Sequence, residues 1–267
     1  MLIAAAFALS CVAHVPRPSM TLESFVREVR HADYAGDTIL LDSLYLLSDA
    51  LLIHPEHESL LRYWRGFALW RKGMNGMNDN VSAQILMQDF SGAVEEFEQA
   101  LRLDPTFPDA KIAEAGCLMN LAFLEGSDQA KVNKRIVKFV PLLKEAEATD
   151  PSNPRLYWVK GPMLWYLPES KGGGQARAFA AYEKGLRAYE SQEVKDGDSI
   201  YPAWGKPELL MNVAWSKLNA TPRQFPEAKK AALQALKLVP YWHYLKDILL
   251  PQIRQAEKDA VSGGGAS

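Results

Sequence analysis

Cysteine is almost absent from the chain: Cys11 and Cys117 are the two in 267 residues. A disulfide framework is therefore excluded, and Cys117, inside the apolar run Ala115-Gly-Cys-Leu-Met119, reads as a buried thiol. An excess of either charge is missing too. Thirty basic residues face 32 acidic ones, for a net charge of −2. Nucleic-acid binding, which needs a basic face, is not supported. The cluster Lys131, Lys134, Arg135 and Lys138 reads as a solvated helix face. No apolar run is long enough to cross a bilayer, and no stretch alternates apolar and polar residues long enough to make a strand.

Catalytic and metal signatures are equally scarce. His54 and His57 occur as HPEH, but Pro55 breaks the helix that would align two ligands. Gly172, Gly173 and Gly174 precede a helix without the strand before or the Lys-Ser/Thr after that a phosphate loop requires, so they read as a flexible inter-helix turn. The serines lack a nucleophile elbow and the carboxylates are spread along helix faces. No metal, cofactor or enzymatic activity is expected.

What is present is a core-forming composition, 48% apolar with 23% charged residues, and a repeat. Four segments end alike: Ala50-Leu-Leu-Ile-His-Pro55, Ala100-Leu-Arg-Leu-Asp-Pro105, Ala146-Glu-Ala-Thr-Asp-Pro151 and Ala235-Leu-Lys-Leu-Val-Pro240. In each, an alanine precedes by five a proline that cannot continue a helix. Leu47, Phe97, Leu143 and Ala232 lie three residues before the alanines. Ser43, Ala93, Phe139 and Ala228 lie four earlier still, on the same helical face. The long gap between Pro151 and Pro240 accommodates a fifth unit without its proline, carried by Ala178, Tyr182 and Gly185. Upstream of each second helix a first helix is expected, with its close-packing position at His31, Gly66, Ala115, Gly161 or Ala214. Tyr34, Leu69, Leu118, Leu164 and Lys217 follow three residues on, the last a misfit that leaves the fifth register open by one.

This pattern resembles the tetratricopeptide repeat (TPR) family, most closely at Asp89-Phe-Ser-Gly-Ala-Val-Glu-Glu-Phe-Glu-Gln-Ala-Leu-Arg-Leu-Asp-Pro105, and covers roughly residues 22 to 240. The units are longer than the family's 34 residues, with insertions at 72–87, 127–131 and 168–174. The expectation is an all-α solenoid of about five hairpins over residues 14–256. A capping helix from Tyr241 closes it and a flexible tail occupies 257–267.

The resemblance implies a concave surface lined by the first helices. Mapped onto it are Tyr63, Phe67, Trp70, Met119, Asn120, Trp158, Trp165, Tyr166, Met211 and Trp215, an aromatic groove for a partner protein or peptide. The alternative is that extended loops or the cap fill the groove and make these residues core. A hydrophobic small ligand would suit the same surface. Lys171-Gly-Gly-Gly174 and Trp204-Gly205 make the layout similar to the T-component of TRAP-type transport systems, which implies a transporter subunit as partner.

Residues 1–13 are expected to be a bacterial export signal, with Leu2–Leu9 as its apolar core and no basic n-region. Two endings remain: lipidation at Cys11 after Ala8-Leu-Ser10, giving an anchored periplasmic or outer-membrane-associated protein, or ordinary cleavage near Cys11-Val-Ala13. A membrane connection is expected only through such an anchor.

Overall fold

The computed structural model describes residues 20–53, 55–191 and 199–263. The expected signal, Cys11 and His54 lie outside them. Among the described residues there are helices and no strands. The α-helices are α1 (Leu22–Ala35), α2 (Thr38–Leu47), α3 (Glu58–Asn78), α4 (Ala83–Leu103), α5 (Pro108–Leu124), α6 (Gln129–Thr149), α7 (Pro154–Tyr166), α8 (Gln175–Ser191), α9 (Lys206–Asn219), α10 (Phe225–Leu238) and α11 (Leu250–Gly263). Consecutive helices pair as five hairpins, α1/α2 through α9/α10, and a π-helical turn (Tyr244–Leu249) leads into α11 as a cap. Because α11 runs to Gly263, the helical chain continues beyond the tail boundary expected after Ala256.

The helix boundaries follow local chemistry. Thr21 caps α1 in a reciprocal box with Ser24. Prolines occupy the first turns of α5, α7, α9 and α10, where a missing N–H costs nothing. The stretch 72–87 lengthens α3 and α4 instead of looping out. The glycine triplet makes a hydrogen-bonded turn, in which Gly172 N donates to Glu169 O, Gly173 N to Pro168 O and Gly174 N to Leu164 O at 2.8–3.0 Å.

Small-on-large contacts hold each hairpin. A Cβ at Gly66 would lie 2.9 Å from the Phe97 ring, and one at Gly161 only 1.8 Å from the Tyr182 ring. Ala93, Phe97 and Ala100, then Phe139, Leu143 and Ala146, Ala178, Tyr182 and Gly185, and Ala228, Ala232 and Ala235 are all buried. In the fifth unit Ala214 is buried as expected, but so is Leu218, whereas Lys217 is only partly buried and its ammonium lies 4.1 Å from the centroid of the Phe179 ring.

The first hairpin departs from the expected register. His31, Ser43, Leu47 and Ala50 are exposed, whereas Ala32, Leu41, Leu44 and Ser48 are buried. The inward side of this turn is held by Arg65, a buried residue of α3. Its Nη1 takes the Tyr45 carbonyl at 3.2 Å and Ser48 Oγ at 2.7 Å, while Nε bonds Glu96 Oε1 at 2.9 Å. Ser48 Oγ also donates to the Tyr45 carbonyl at 2.6 Å, and the chain continues as a 3₁₀ segment over Ser48–Ile53.

The superhelix also closes on itself. Tyr34 Oη donates to Glu208 Oε1 at 2.6 Å, joining α1 to α9. The Tyr34 ring meets Trp242 edge-on at 5.1 Å, and His31 lies against Tyr241. His243 bridges Asp79 at the end of α3 and Asp247 of the π turn, at 3.2 and 3.1 Å. Burial opposes charge on His243, but the two carboxylates outweigh it and raise its pKa.

Two outcomes follow from this packing. Gly161→Ala is expected to lower stability by about 2–3 kcal/mol, because the methyl group has no room beside Tyr182; urea denaturation reads it, and an unchanged midpoint refutes the contact. Glu114, on α5, has its pKa raised from 4.5 to about 7 by burial first and by Glu98 second, with Lys138 opposing. A raised folded-state pKa confers stability that is complete below 4.5 and is lost as pH rises through about 7. Glu114→Gln should therefore match the parent at low pH and exceed it above neutrality by on the order of 2–3 kcal/mol. Parallel stability–pH curves would contradict this.

Candidate functional site

The residues expected to line the concave face divide into two groups along the first helices. Tyr63, Phe67, Trp70, Trp158 and Met211, from the N-terminal or middle turns, are buried. Met119, Asn120, Trp165 and Trp215, from later turns, are partly exposed, and Tyr166 is 67% exposed. The first group is therefore core and does not line a groove.

Its cover is the linker before α9. Trp204 is 3% exposed and packs with its ring centroid 5.4 Å from Phe67, 6.1 Å from Trp70 and 5.2 Å from Trp158. Its indole N–H donates to Tyr63 Oη at 2.8 Å. The strap is also held by its backbone: Trp64 Nε1 donates to Ile200 O at 2.6 Å and Arg155 Nη1 to Trp204 O at 3.1 Å. Arg155 is itself fixed by Asp109 through Nε and through Nη2 at 3.4 Å, and Asn153 donates to the same carboxylate at 3.2 Å. Gly205, at φ +139°, turns the strap into α9, and its N–H is capped by Glu208 at 3.0 Å. The indole N–H groups of Trp70 and Trp158 have no hydrogen-bond acceptor, and each ring makes T-shaped aromatic contacts.

Behind the strap lies a buried charged cluster. Arg71 Nε donates to Asp33 Oδ1 at 2.7 Å, and Asn75 donates to the same oxygen at 3.1 Å. Arg71 also lies over the Phe67 and Trp158 rings, at 5.8 and 5.6 Å. Burial raises the pKa of both Asp33 and Glu208, against the pull of Arg71. Arg71 thus sits between two carboxylates whose ionisation burial disfavours, and the Tyr34 phenol, its own pKa pushed well up by burial, stays a donor. Arg71 Nη1 is buried without a hydrogen-bond partner, and the cluster joins α1, α3 and α9.

What remains open is a ledge at the far ends of the first helices. Trp165 and Trp215 meet edge-to-face at 5.7 Å, Tyr166 lies 6.3 Å from Trp215, and Trp165 lies 5.9 Å from Phe179. Tyr244, on the π turn, is partly buried against the same core cluster as Trp215, and its pKa is pushed up to about 12 by burial first and by Tyr166 second. On the earlier helices Asn120 Nδ2 contacts Met74 Sδ at 3.1 Å, and Phe123 is 66% exposed. The ledge is thus aromatic around α7, α9 and the π turn, with methionine and amide groups toward α3 and α5. Among the described residues, no group of three or more His, Cys, Asp or Glu side chains is placed to hold a metal ion.

Arg155, Asp109, Trp204 and Tyr244 were not read from the sequence as site residues. The Trp204-Gly205 pair could have signalled a buried anchor before a helix start, but nothing in the sequence pairs it with Tyr63.

The hairpin succession, paired helices and cap define a helical-repeat protein with a TPR-like fold. Solved structures agree. The chain is similar to a thermophilic TPR protein of Thermus thermophilus, at 16% identity and a TM-score of 0.54 over 88% of this chain and 98% of that one. It is also similar to the HusA haemophore of Porphyromonas gingivalis, at 18% identity and a TM-score of 0.57 over 76% and 95% of the two chains. No family model and no curated protein matches the sequence.

Trp204→Ala should cost about 3–5 kcal/mol, since it empties the centre of the aromatic cluster and removes the donor to Tyr63. Chemical denaturation with near-ultraviolet circular dichroism measures it. A loss below about 1 kcal/mol would mean that the strap is dispensable.

Proposed function

We propose that the protein is a non-enzymatic binding module that takes an apolar segment of a partner protein or peptide on the open ledge around Trp165, Tyr166, Trp215 and Tyr244. The observation that carries this reading is the exposure of Tyr166, at 67%, beside the edge-to-face pair Trp165 and Trp215. Aromatic anchors with a polar tip bury much area at low rotamer cost and dominate interface energetics. The methionines toward α3 add an adaptable margin. We further propose export by the Leu2–Leu9 segment, with tethering through Cys11, so that the partner is met in the periplasm or at the outer membrane. A transporter subunit, by the likeness to TRAP T-components, fits that setting.

A second reading has support in the chemistry of the ledge: a flat, hydrophobic small molecule could stack among the same rings, as part of a relay. One structural neighbour is a haemophore, which makes this reading worth separating from the first.

Joint replacement Tyr166→Ala and Trp215→Ala is expected to reduce partner capture about tenfold or more. Because Trp215 also packs on the core, the melting temperature falls as well. Capture by the single variant Tyr166→Ala, whose side chain is 67% exposed, is the control that keeps stability unchanged. Quantitative co-purification after mild cross-linking in native membranes measures capture. Native mass spectrometry on the same samples reports any bound small molecule, whose loss in the double variant would favour the second reading. Capture and bound mass both unchanged would remove the ledge as the binding site.

A further inference from the structure

His243, at the start of the capping turn, stands between two carboxylates from distant parts of the chain. Its Nε2 lies 3.2 Å from Asp79 Oδ1 and its Nδ1 lies 3.1 Å from Asp247 Oδ2. Ionised carboxylates only accept, and a neutral imidazole carries a single N–H. Both contacts are hydrogen bonds only when both ring nitrogens are protonated, so the geometry is that of an imidazolium. In the neutral ring one nitrogen would turn a lone pair toward a carboxylate. The bridge would lose a bond and gain a repulsion.

The surroundings favour the same cation. Gly36 ends α1 in the left-handed conformation at φ +72°, and the imidazole packs where a side chain there would go: a Cβ would lie 2.7 Å from His243 Cδ2. Asp79 is the residue that ends α3. The ring thus sits at the carboxyl end of α1 and one side chain away from that of α3, where helix dipoles stabilise positive charge. The other charges near the joint are Lys246, Asp37, Arg30 and His31. Lys246 is mostly in solvent, 3.9 Å from Asp247. Asp37, next to Gly36, caps α2 by accepting from Leu40 N. On α1, Arg30 acts on Tyr241 and His31 packs against it, two residues before His243. These α1 groups and burial oppose charge on His243, and the two carboxylates prevail over burial.

What the bridge joins is the cap to the first hairpins, across 164 positions. The other contacts of the closure, Tyr34 with Glu208 and with Trp242, lie on α9 and ahead of the π turn. We propose that His243 is a proton-operated latch. Protonated, it holds the π turn and α11 against the carboxyl ends of α1 and α3; deprotonated, it lets this cap loosen while the Tyr34 contacts keep the array closed.

The sign follows from linkage. A pKa raised in the docked state above the ordinary 6.5 gives docking that is complete below 6.5 and weakens as pH rises through the docked-state value. Histidine-selective NMR on the full chain, from about pH 5.5 to 8.5, reads the titration, with the His243 signal assigned by its loss in His243→Gln. Hydrogen exchange, corrected for the intrinsic pH dependence of the rate, reads protection of residues 244–263. Glu114 titrates in the same range, so cap protection is taken relative to α5 and α6 in the same sample.

The expected result is a His243 midpoint above 6.5, with both ring nitrogens protonated below it. Cap protection should fall across that midpoint by about tenfold for each unit by which it exceeds the ordinary value. Asp79→Asn should lower the midpoint and flatten the protection curve, with α5 and α6 protected as in the parent. A midpoint at or below 6.5 would overturn the proposal. So would a raised midpoint with cap protection independent of pH, or a protection curve in Asp79→Asn that matches the parent's. None of these readouts uses a partner, so the reading of the ledge stands or falls separately.

Discussion

Burial of Trp204 is the contact on which the concave side depends. One indole fills the space between α3 and α7 and, through Gly205, sets where α9 begins. Its backbone carbonyl is held by Arg155, which Asp109 holds in turn, so the strap is clamped by groups that are themselves buried. A buried guanidinium–carboxylate pair is costly to desolvate and costly to break, which makes it a device for fixing geometry more than for adding stability. The Arg71 cluster, which lies over the same Phe67 and Trp158 rings, works in the same way. One cation is shared by Asp33 and Glu208, and a phenol from α1 completes the set, so the first hairpin is tied to the last. The curvature of the array is thereby fixed at both levels, and the ends meet instead of leaving an open spiral.

The repeat was legible where small and large residues alternate at helical spacing and nothing else competes for the backbone. Ala93, Phe97 and Ala100 are the clearest case, and the degenerate unit at Ala178, Tyr182 and Gly185 follows the same rule. The first hairpin was misread because its pattern is present on the wrong face. Ser43, Leu47 and Ala50 have the right spacing, yet Leu41 and Leu44 go inward, on the side where Arg65 bonds the Tyr45 carbonyl. A long-range hydrogen bond of this kind leaves no local trace in the sequence.

The concave face was half legible for a related reason. Position along the first helix identifies residues that point inward, and all ten of those chosen lie on first helices. Whether an inward residue meets solvent depends on what else occupies the interior, and here that is a linker. Tyr63 and Trp204 are joined across 141 positions. No periodicity connects them, so Tyr63, Phe67, Trp70 and Trp158 could be placed on the face but not assigned to core or groove from the sequence alone. Tyr244 escaped for a different reason, since it lies in the capping segment, outside the first helices that the repeat assigns to the face.

The division of the face also separates stability from binding. Aromatic residues in the first half are locked by the strap, and a ligand could reach them only by expelling a fully buried tryptophan and unpairing Arg155 and Tyr63. That cost is incompatible with reversible binding at the strap. At the ledge the opposite holds: Tyr166 is already largely in solvent, so covering it removes apolar surface from water without breaking an internal bond. On the proposed reading, the rigid half is a fixed platform and covering the open half supplies the free energy of association. Under that proposal, an array plugged at its centre keeps a small aromatic site at one end without putting its fold at risk each time the site is occupied.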